Sequence, residues 1–332
     1  MKAAIVGSGA WGTALGIRLC ENGHEVVLWS HNPEKAAEMA VKRENPLLAG
    51  VRLPESMTVS ADPACVADCA LAVIASPSFA IRSVCRSVAQ YLHPDVVMVS
   101  VTKGIEPDTL LRMSEIVAEE THRPVVALTG PSHAEEVALG VPTGCVAASP
   151  VRAYAEFVQD AFMSDAFRIY TSPDIVGAEL GGAIKNVIAL CAGVTDGMGC
   201  GDNTKAMLLT RGLAEMARLG VSMGADRDTF AGLAGVGDLT VTCTSRHSRN
   251  CRAGVLIGQG MSITDVLAQS KSVVEGYYAA RSIWLLAQKQ GVDMPIIEAT
   301  YRVLYQGEST ANVVSLLMQR RRKAESDVTA WQ

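Results

Sequence analysis

Short apolar runs and longer stretches of helical spacing alternate over the first half of the chain. Runs that read as buried strands lie at 3–7 (AAIVG), 25–29 (EVVLW), 70–74 (ALAVI), 96–99 (VVMV), 125–128 (VVAL) and 143–148 (TGCVAA). Each is short, aliphatic or β-branched, and set off by turn residues or by a helical stretch such as 109–120. Such alternation predicts a parallel sheet with helices on both faces, because the crossover between parallel strands is usually a helix. Near residue 170 the strand pattern stops. Apolar positions then recur at helical spacing over 173–194, 203–219, 273–289 and 295–304. Ser172 and Pro173 fit an N-cap and first helical position opening the first of these helices. Arg320 to Lys323 read as a solvated last helical turn. The expectation is an α/β domain over 1–170 and an all-α domain over 171–332.

Composition narrows the class. A chain of 332 residues suits two domains. With 49% hydrophobic and 19% charged residues it is not disordered. Lys and Arg number 29 against 34 Asp and Glu, a net charge of −5, which argues against bulk binding to nucleic acid or an anionic membrane. No apolar run approaches the ~18 residues of a membrane span. The opening MKAAIVGSGAWGTALGI has the lysine and apolar stretch of a signal peptide, but glycines at 7, 9 and 12 have a better explanation. The nine cysteines are an odd number without a C-x-x-C pair, which fits thiols in a reducing cytoplasm. Cys65 and Cys69 are four apart, yet no second pair completes a metal site, and the six histidines show no H-x-x-x-H spacing. No metal is expected.

Gly7-x-Gly9-x-x-Gly12 follows the first strand and opens a helix. Glycine there permits a tight turn, close approach of the backbone to a pyrophosphate, and close helix-on-strand packing. The helix N-terminus then offers free N–H groups to the phosphates. This is the signature of a Rossmann-type, doubly wound dinucleotide-binding sheet. A site strict for NAD ends its second strand in Asp or Glu, which holds the ribose 2′-hydroxyl. Here the strand ends Trp29-Ser30-His31-Asn32, with neither that acid nor an arginine for a 2′-phosphate. His31 suits NAD or NADP, or merely caps the strand in a polar loop.

In the second half, Lys185 lies in a stripe of small residues at helical spacing: Ala178, Gly181, Gly182, Ala189 and Ala192. Leu180, Ile184, Val187, Ile188 and Cys191 on the other side hold the helix in a core. The stripe leaves room beside the lysine for a helix or a ligand. Oxidation of an alcohol needs a base for the hydroxyl proton, and a desolvated lysine near other cations has its pKa drawn down toward the working range. Helix packing with Lys185 reaching out to solvent explains the spacing equally well. Thr102-Lys103-Gly104 and Gly130-Pro131-Ser132-His133-Ala134 follow strands, at the carboxyl edge where open α/β sheets bind ligands. Gly237-Asp238-Leu239 and Ser248-Arg249-Asn250 punctuate the helical half, and Arg249 beside a hydroxyl and an amide suits an oxyanion or phosphate. Each fragment alone also reads as a turn.

Together, in this order, the fragments resemble the bacterial NAD(P)-dependent glycerol-3-phosphate dehydrogenases. The residues that carry the resemblance are G-S-G-A-W-G-T-A-L (7–15), T-K-G (102–104), G-P-S-H-A (130–134), G-G-A-I-K-N-V (181–187), T-R-G-L-A-E-M (210–216), G-V-G-D-L-T-V-T-C (235–243), S-R-N (248–250) and V-V-E-G-Y (273–277). The match runs from about residue 3 to about 320. The resemblance implies a Rossmann-type domain followed by a helical substrate domain. It implies reversible interconversion of sn-glycerol 3-phosphate and dihydroxyacetone phosphate, feeding phospholipid synthesis, in a cytoplasmic homodimer. On the matching positions Lys185 takes the role of proton acceptor. Lys103, Gly130, Ser132, Asp238, Ser248, Arg249 and Asn250 take substrate positions alongside it. Ala10, Trp11, His31, Lys103, Ala134, Arg249, Val273 and Glu275 take cofactor positions, with Gly7, Gly9 and Gly12 as the phosphate loop. Two departures stand out: His133, where the family has an aromatic residue, and Cys251, where a basic one often follows S-R-N. A β-hydroxyacid or ketopantoate reductase would share the Rossmann half and a helical lysine, but needs no S-R-N and T-K-G cluster for a phosphate. A non-enzymatic dinucleotide sensor would leave the Lys185 stripe unexplained.

Overall fold

A computed structural model describes residues 1–270, 273–322 and 324–325. The first half forms one eight-stranded sheet of β1 (Lys2–Val6), β2 (Glu25–Trp29), β3 (Met57–Ser60), β4 (Leu71–Ile74), β5 (Val97–Ser100), β6 (Val125–Thr129), β7 (Thr143–Ala148) and β8 (Phe167–Ser172). The strand order is β3-β2-β1-β4-β5-β6-β7-β8. Between the strands run α1 (Ala10–Glu21), α2 (Pro33–Lys42), α3 (Ile81–Ala89), α4 (Met113–Thr121), α5 (Ala134–Ala138) and α6 (Arg152–Phe162). Successive strand residues point to opposite faces. Ala3, Ile5, Val26, Leu28, Val73 and Val99 accordingly pack on one core, and Ala4, Val6, Val27, Trp29, Ile74 and Met98 on the other.

The sheet is not wholly parallel, as the alternation predicted. β7 runs antiparallel to β6, while β8 is parallel to β7. The cause is the connection: α5 has five residues, about 7.5 Å of helix, too short to carry the chain back across the sheet. Two strands escape a search for apolar runs because both lie at sheet edges. β3 buries only Met57 fully, and β8 alternates buried Phe167 and Ile169 with exposed Arg168 and Tyr170.

The second half holds α7 (Ile175–Gly197), α8 (Asp202–Ser222), α9 (Asp238–Thr244), α10 (Arg249–Gly258), α11 (Ile263–Gln269), α12 (Glu275–Gln290), α13 (Pro295–Gln306) and α14 (Thr310–Met318). Ser172 and Pro173 do not open α7. Ser172 ends β8, and Asp174 caps the helix by accepting from the Gly177 N–H at 2.8 Å. α7 also corrects the expectation about apolar runs. Its 23 residues, with an 18-residue window of mean hydropathy 1.5, are long and apolar enough to cross a membrane. They are instead the hub of the helical core, buried on nearly every side by its neighbours. The basic run falls past the end of α14 rather than in its last turn: Arg320, Arg321 and Arg322 are exposed, and Lys323 lies outside the described residues.

Glycine sets how closely α7 and α10 approach. An added Cβ at Gly193 would sit 2.0 Å from the Cys251 carbonyl oxygen, and one at Gly197 2.2 Å from that of Val255. Reciprocally, Gly254 and Gly258 face the Leu190 and Val194 oxygens at 2.0 and 2.2 Å. Backbone meets backbone along this seam, so it fixes the start of α10 against the middle of α7. Gly254→Val should push the helices apart and destabilise the protein by about 3 kcal/mol, as overpacking does. Gly201→Ala, which meets nothing within 4 Å, should cost far less. Urea unfolding of the two variants checks this.

Candidate active site

At the carboxyl edge of the sheet, the three loop glycines serve different ends. Gly7 has φ +121°, and an added Cβ would lie 2.4 Å from the Ala75 oxygen. One on Gly12 would lie 2.6 Å from the Gly7 oxygen, so both are demanded by packing. Gly9 is different: nothing lies nearer than 4.0 Å to where its Cβ would be. Packing does not require glycine there, and the bare backbone at the N-terminus of α1 is the cradle that a pyrophosphate fits. Ala10 and Trp11 begin α1, and the buried Trp11 indole nitrogen has no partner among the described residues.

Three polar contacts brace the loop. The Ser8 carbonyl accepts from Lys35 Nζ at 2.8 Å and from Asn45 Nδ2 at 3.1 Å, and the Ser8 hydroxyl donates to Ser30 Oγ at 2.9 Å. Asn45, fully buried, also donates to Thr13 Oγ1 at 2.7 Å. His31 stands exposed at the end of β2. Ala134 opens α5, and Val273 is half-buried just before α12. Glu275, the first residue of α12, reaches back to the sheet. It accepts from the Ser78 N–H at 3.2 Å and the Ser78 hydroxyl at 2.6 Å. Burial pushes the Glu275 carboxyl up from its ordinary range, with Arg249 pulling the other way.

Lys185 does not reach out to solvent. Its Nζ donates to Asp238 Oδ1 and, at 2.8 Å, to Thr242 Oγ1. Asp238 Oδ2 accepts from Lys103 Nζ at 2.7 Å, and Lys103 also donates to the Gly130 carbonyl at 3.1 Å. The expected space beside the small-residue stripe is filled by the segments that deliver these groups. A Cβ on Gly181 would lie 2.2 Å from the Ala234 oxygen, in the π-helical turn Leu233–Gly237 that leads into Asp238. A Cβ on Gly182 would lie 3.4 Å from the Lys103 side chain. Burial lowers the Lys185 pKa to about 8; Lys103 adds to the fall and Asp238 opposes it. Burial alone would raise Asp238, but the two ammonium groups outweigh it and hold the carboxylate ionised.

Ser132 Oγ donates back to the Gly130 carbonyl at 2.9 Å, closing that loop. Ser248 caps α10, and Arg249, the first residue of the helix, is exposed with no hydrogen bond or ion pair to the described residues. Asn250 is buried and largely committed: Nδ2 donates to Asn186 Oδ1 at 2.9 Å, and Oδ1 accepts from the Gly276 N–H at 2.9 Å. One amide hydrogen and the free N–H groups of the first turn of α10 remain for a ligand. The unusual His133 lies 5.8 Å, ring to ring, from His247, and its Nε2 is buried without a partner among the described residues. Cys251 caps nothing itself; its N–H donates to Ser248 Oγ at 3.2 Å.

Hydrogen bonds thus join Lys103, Gly130, Ser132, Lys185 and Asp238 in one group, and Asn250 to Asn186 and Gly276 in another, with contributors that sequence reasoning did not name. Thr242 follows Asp238 by one helical turn, a spacing that could have found it. Asn186 adjoins Lys185. Lys35, Asn45 and Ser78 carry no signal, since their partners are distant in the chain.

A glycine cradle for a dinucleotide beside a buried lysine–aspartate pair defines a nicotinamide-dependent dehydrogenase of the Rossmann-plus-helical kind. Two family models match: the N-terminal part of NAD-dependent glycerol-3-phosphate dehydrogenase over residues 2–155 and its C-terminal part over 174–315. The chain is 50% identical over 331 residues to glycerol-3-phosphate dehydrogenase (NAD(P)+) of Geobacillus kaustophilus, covering 98% of this chain and 96% of that one. It is also 50% identical to that of Pelotomaculum thermopropionicum, over 99% and 96%. The crystal structure of the Coxiella burnetii glycerol-3-phosphate dehydrogenase superposes with a TM-score of 0.92 at 34% identity, over 96% of this chain and 99% of that one. The chain belongs to the NAD-dependent glycerol-3-phosphate dehydrogenase family.

Removing the Asp238 charge would leave the buried Lys185 ammonium facing the half-buried one of Lys103. Asp238→Asn should destabilise the protein by about 3 kcal/mol. Adding Lys103→Met should recover part of that loss, because one unbalanced cation goes with it. Denaturant unfolding of the single and double variants measures both.

Proposed function

We propose that this cleft interconverts sn-glycerol 3-phosphate and dihydroxyacetone phosphate with NAD or NADP, Lys185 moving the proton. The observation that carries this reading is the Lys185 ammonium, buried, aimed by Asp238 and Thr242, and brought by burial to a pKa of about 8. At that value the neutral amine and the ammonium are both populated near neutral pH, so one group serves as base in oxidation and acid in reduction. A bound nicotinamide supplies the hydride chemistry. Gly7, Gly9 and Gly12 with the N-terminus of α1 would hold its pyrophosphate, and Ala10, Trp11, His31, Ala134, Val273 and Glu275 line its path. Lys103, shared between Asp238 and the Gly130 carbonyl, adds positive potential at the reacting carbon's oxygen.

Arg249 and the first turn of α10 take the phosphate. The guanidinium has no internal partner to leave, and the helix N-terminus favours an anion. Asn250 braces this turn through Asn186 and Gly276, while Ser132, Ser248 and Gly130 shape the loops around it. The need for a phosphate grip favours this substrate over a non-phosphorylated hydroxyacid. Nine unpaired thiols support a reducing cytoplasm. Exposed Met207 on α8, with Leu316 and Met318 on α14, supports self-association through the helical half as a homodimer.

Following NADH and NADPH at 340 nm with dihydroxyacetone phosphate tests the reaction itself. Lys185→Ala should lower kcat by at least a hundredfold, roughly the contribution of general acid–base catalysis, while cofactor affinity holds. The oxidation rate should rise as pH passes about 8, where Lys185 loses its proton, and reduction should decline there. Equal loss of kcat and cofactor binding in Lys185→Ala would show that the lysine serves the fold.

Arg249→Ala should raise KM for dihydroxyacetone phosphate by about ten- to a hundredfold, the loss of a charge-assisted contact. Steady-state kinetics on dihydroxyacetone phosphate and on unphosphorylated dihydroxyacetone check this, since only the phosphorylated substrate should respond.

A further inference from the structure

The end of β2 left the choice between NAD and NADP open in the sequence, because Ser30, His31 and Asn32 include neither an acid nor an arginine. A different residue fills that gap in three dimensions. α2 begins immediately after this strand end, capped by Asn32, whose side chain accepts from the Lys35 N–H at 3.0 Å. Lys35 therefore sits in the first turn. Its side chain bends back across the strand end to place Nζ 2.8 Å from the Ser8 carbonyl, between the first and second glycines of the phosphate loop. The ammonium is thus held between the glycine loop and the end of the second strand, the place where Rossmann sheets receive the adenosine ribose.

Three further observations bear on what the ammonium does there. It is half-buried and has no carboxylate partner among the described residues; burial alone lowers its pKa. A cation bound only to one carbonyl has two N–H donors left over. The neighbouring acids do not neutralise it. Glu34 adjoins it in sequence and is exposed without an ion pair to Lys35, and Glu38 is paired with Lys42 at 2.6 Å. The strand end itself offers hydroxyls and an amide, with the Ser30 hydroxyl fixed by Ser8. The strand end carries no acid, Glu34 is the one acid in the first turn of α2, and the N-terminus of a helix favours an anion.

We propose that Lys35 is the residue that reads the ribose 2′-phosphate, so that this chain has a built NADP subsite formed by Lys35, the first turn of α2 and the acid-free end of β2. The proposal rests on the assignment of the glycine loop as the cofactor site. It assigns His31 a lesser part, since His31 is exposed and Lys35 is anchored. With NAD bound instead, the same ammonium still supports the loop through Ser8, which is how one site accepts both cofactors.

The test is equilibrium binding by calorimetry, with no turnover, of four probes: NADH, NADPH, ADP and 2′,5′-ADP. The wild-type protein should hold 2′,5′-ADP more tightly than ADP, and the difference should shrink as salt rises. In Lys35→Met, affinity for NADPH and 2′,5′-ADP should fall by about ten- to a hundredfold, with a much smaller change for NADH and ADP. Lys35→Arg should retain the preference. Equal weakening of all four probes in Lys35→Met would overturn the proposal and leave Lys35 as a brace of the glycine loop. Wild-type protein that holds ADP and 2′,5′-ADP equally would overturn it too, while leaving the cofactor site standing. Binding of none of the four would refute the cofactor-site assignment, and this proposal with it.

Discussion

One carboxylate ties the molecule together. Asp238 accepts from Lys103 on one oxygen and from Lys185 on the other, and the three residues come from three separate stretches of chain. Lys103 stands on the loop after β5, at the carboxyl edge of the sheet. Lys185 and Asp238 belong to the helical half. A buried ion cluster of this kind tolerates no missing member, because each charge is compensated only by the others. Docking of the helical half on the sheet and assembly of this ion cluster are therefore the same event. Glu275, which reaches from α12 to Ser78, makes a second such link at the cofactor end. The two links join the helical half to the sheet through hydrogen bonds in addition to apolar packing.

The glycines explain how the polar groups meet without cavities. Along α7, Gly181 and Gly182 admit the Asp238 and Lys103 segments, and about three and four turns further Gly193 and Gly197 admit α10. The backbone-to-backbone seam then carries the chain Asn186 to Asn250 to the Gly276 N–H, linking α7, α10 and α12 through two hydrogen bonds. Arg249 rides on the first turn of α10 and inherits its position from that seam. The arginine proposed to take the phosphate thus begins a helix whose start is clamped on two sides, which holds its backbone in place.

How much of this could be read from the chain depends on whether the signal is local. The apolar runs of β1, β2, β4, β5, β6 and β7 are local, and so is the glycine loop. β3 and β8 were invisible because edge strands bury one face at most. The reversal of β7 follows from the brevity of α5, a five-residue helix with no apolar periodicity to measure. Asp174, not Ser172, caps α7 because β8 keeps its pairing through Ser172. In the site, the small-residue stripe marked Lys185 as a lysine with something beside it, but left helix packing as an equal reading. What decided it was Asp238, 53 residues away in the chain, which no spacing rule connects to Lys185. Lys35 and Asn45 reach Ser8 across 27 and 37 residues, and their roles exist only in the folded chain.

The sharing of Asp238 also accounts for the chemistry. A lysine buried alone loses its proton too readily to act as an acid, and one buried against its own carboxylate keeps it too firmly to act as a base. In this site burial draws the Lys185 pKa down, Asp238 raises it, and Lys103 takes part of that carboxylate's charge for itself. The balance falls at about 8, between the two failures. Thr242 contributes direction rather than charge: its hydroxyl accepts from Lys185 while donating to the Asp238 backbone carbonyl, one turn back along α9. Two of the three ammonium hydrogens are thereby committed, to Asp238 and to Thr242, and the third is left over, in the proposed reaction for a substrate oxygen. In the proposed reaction, a proton held on one remaining position, at a pKa near that of the medium, exchanges in either direction with little cost, the symmetry that a reversible dehydrogenase requires.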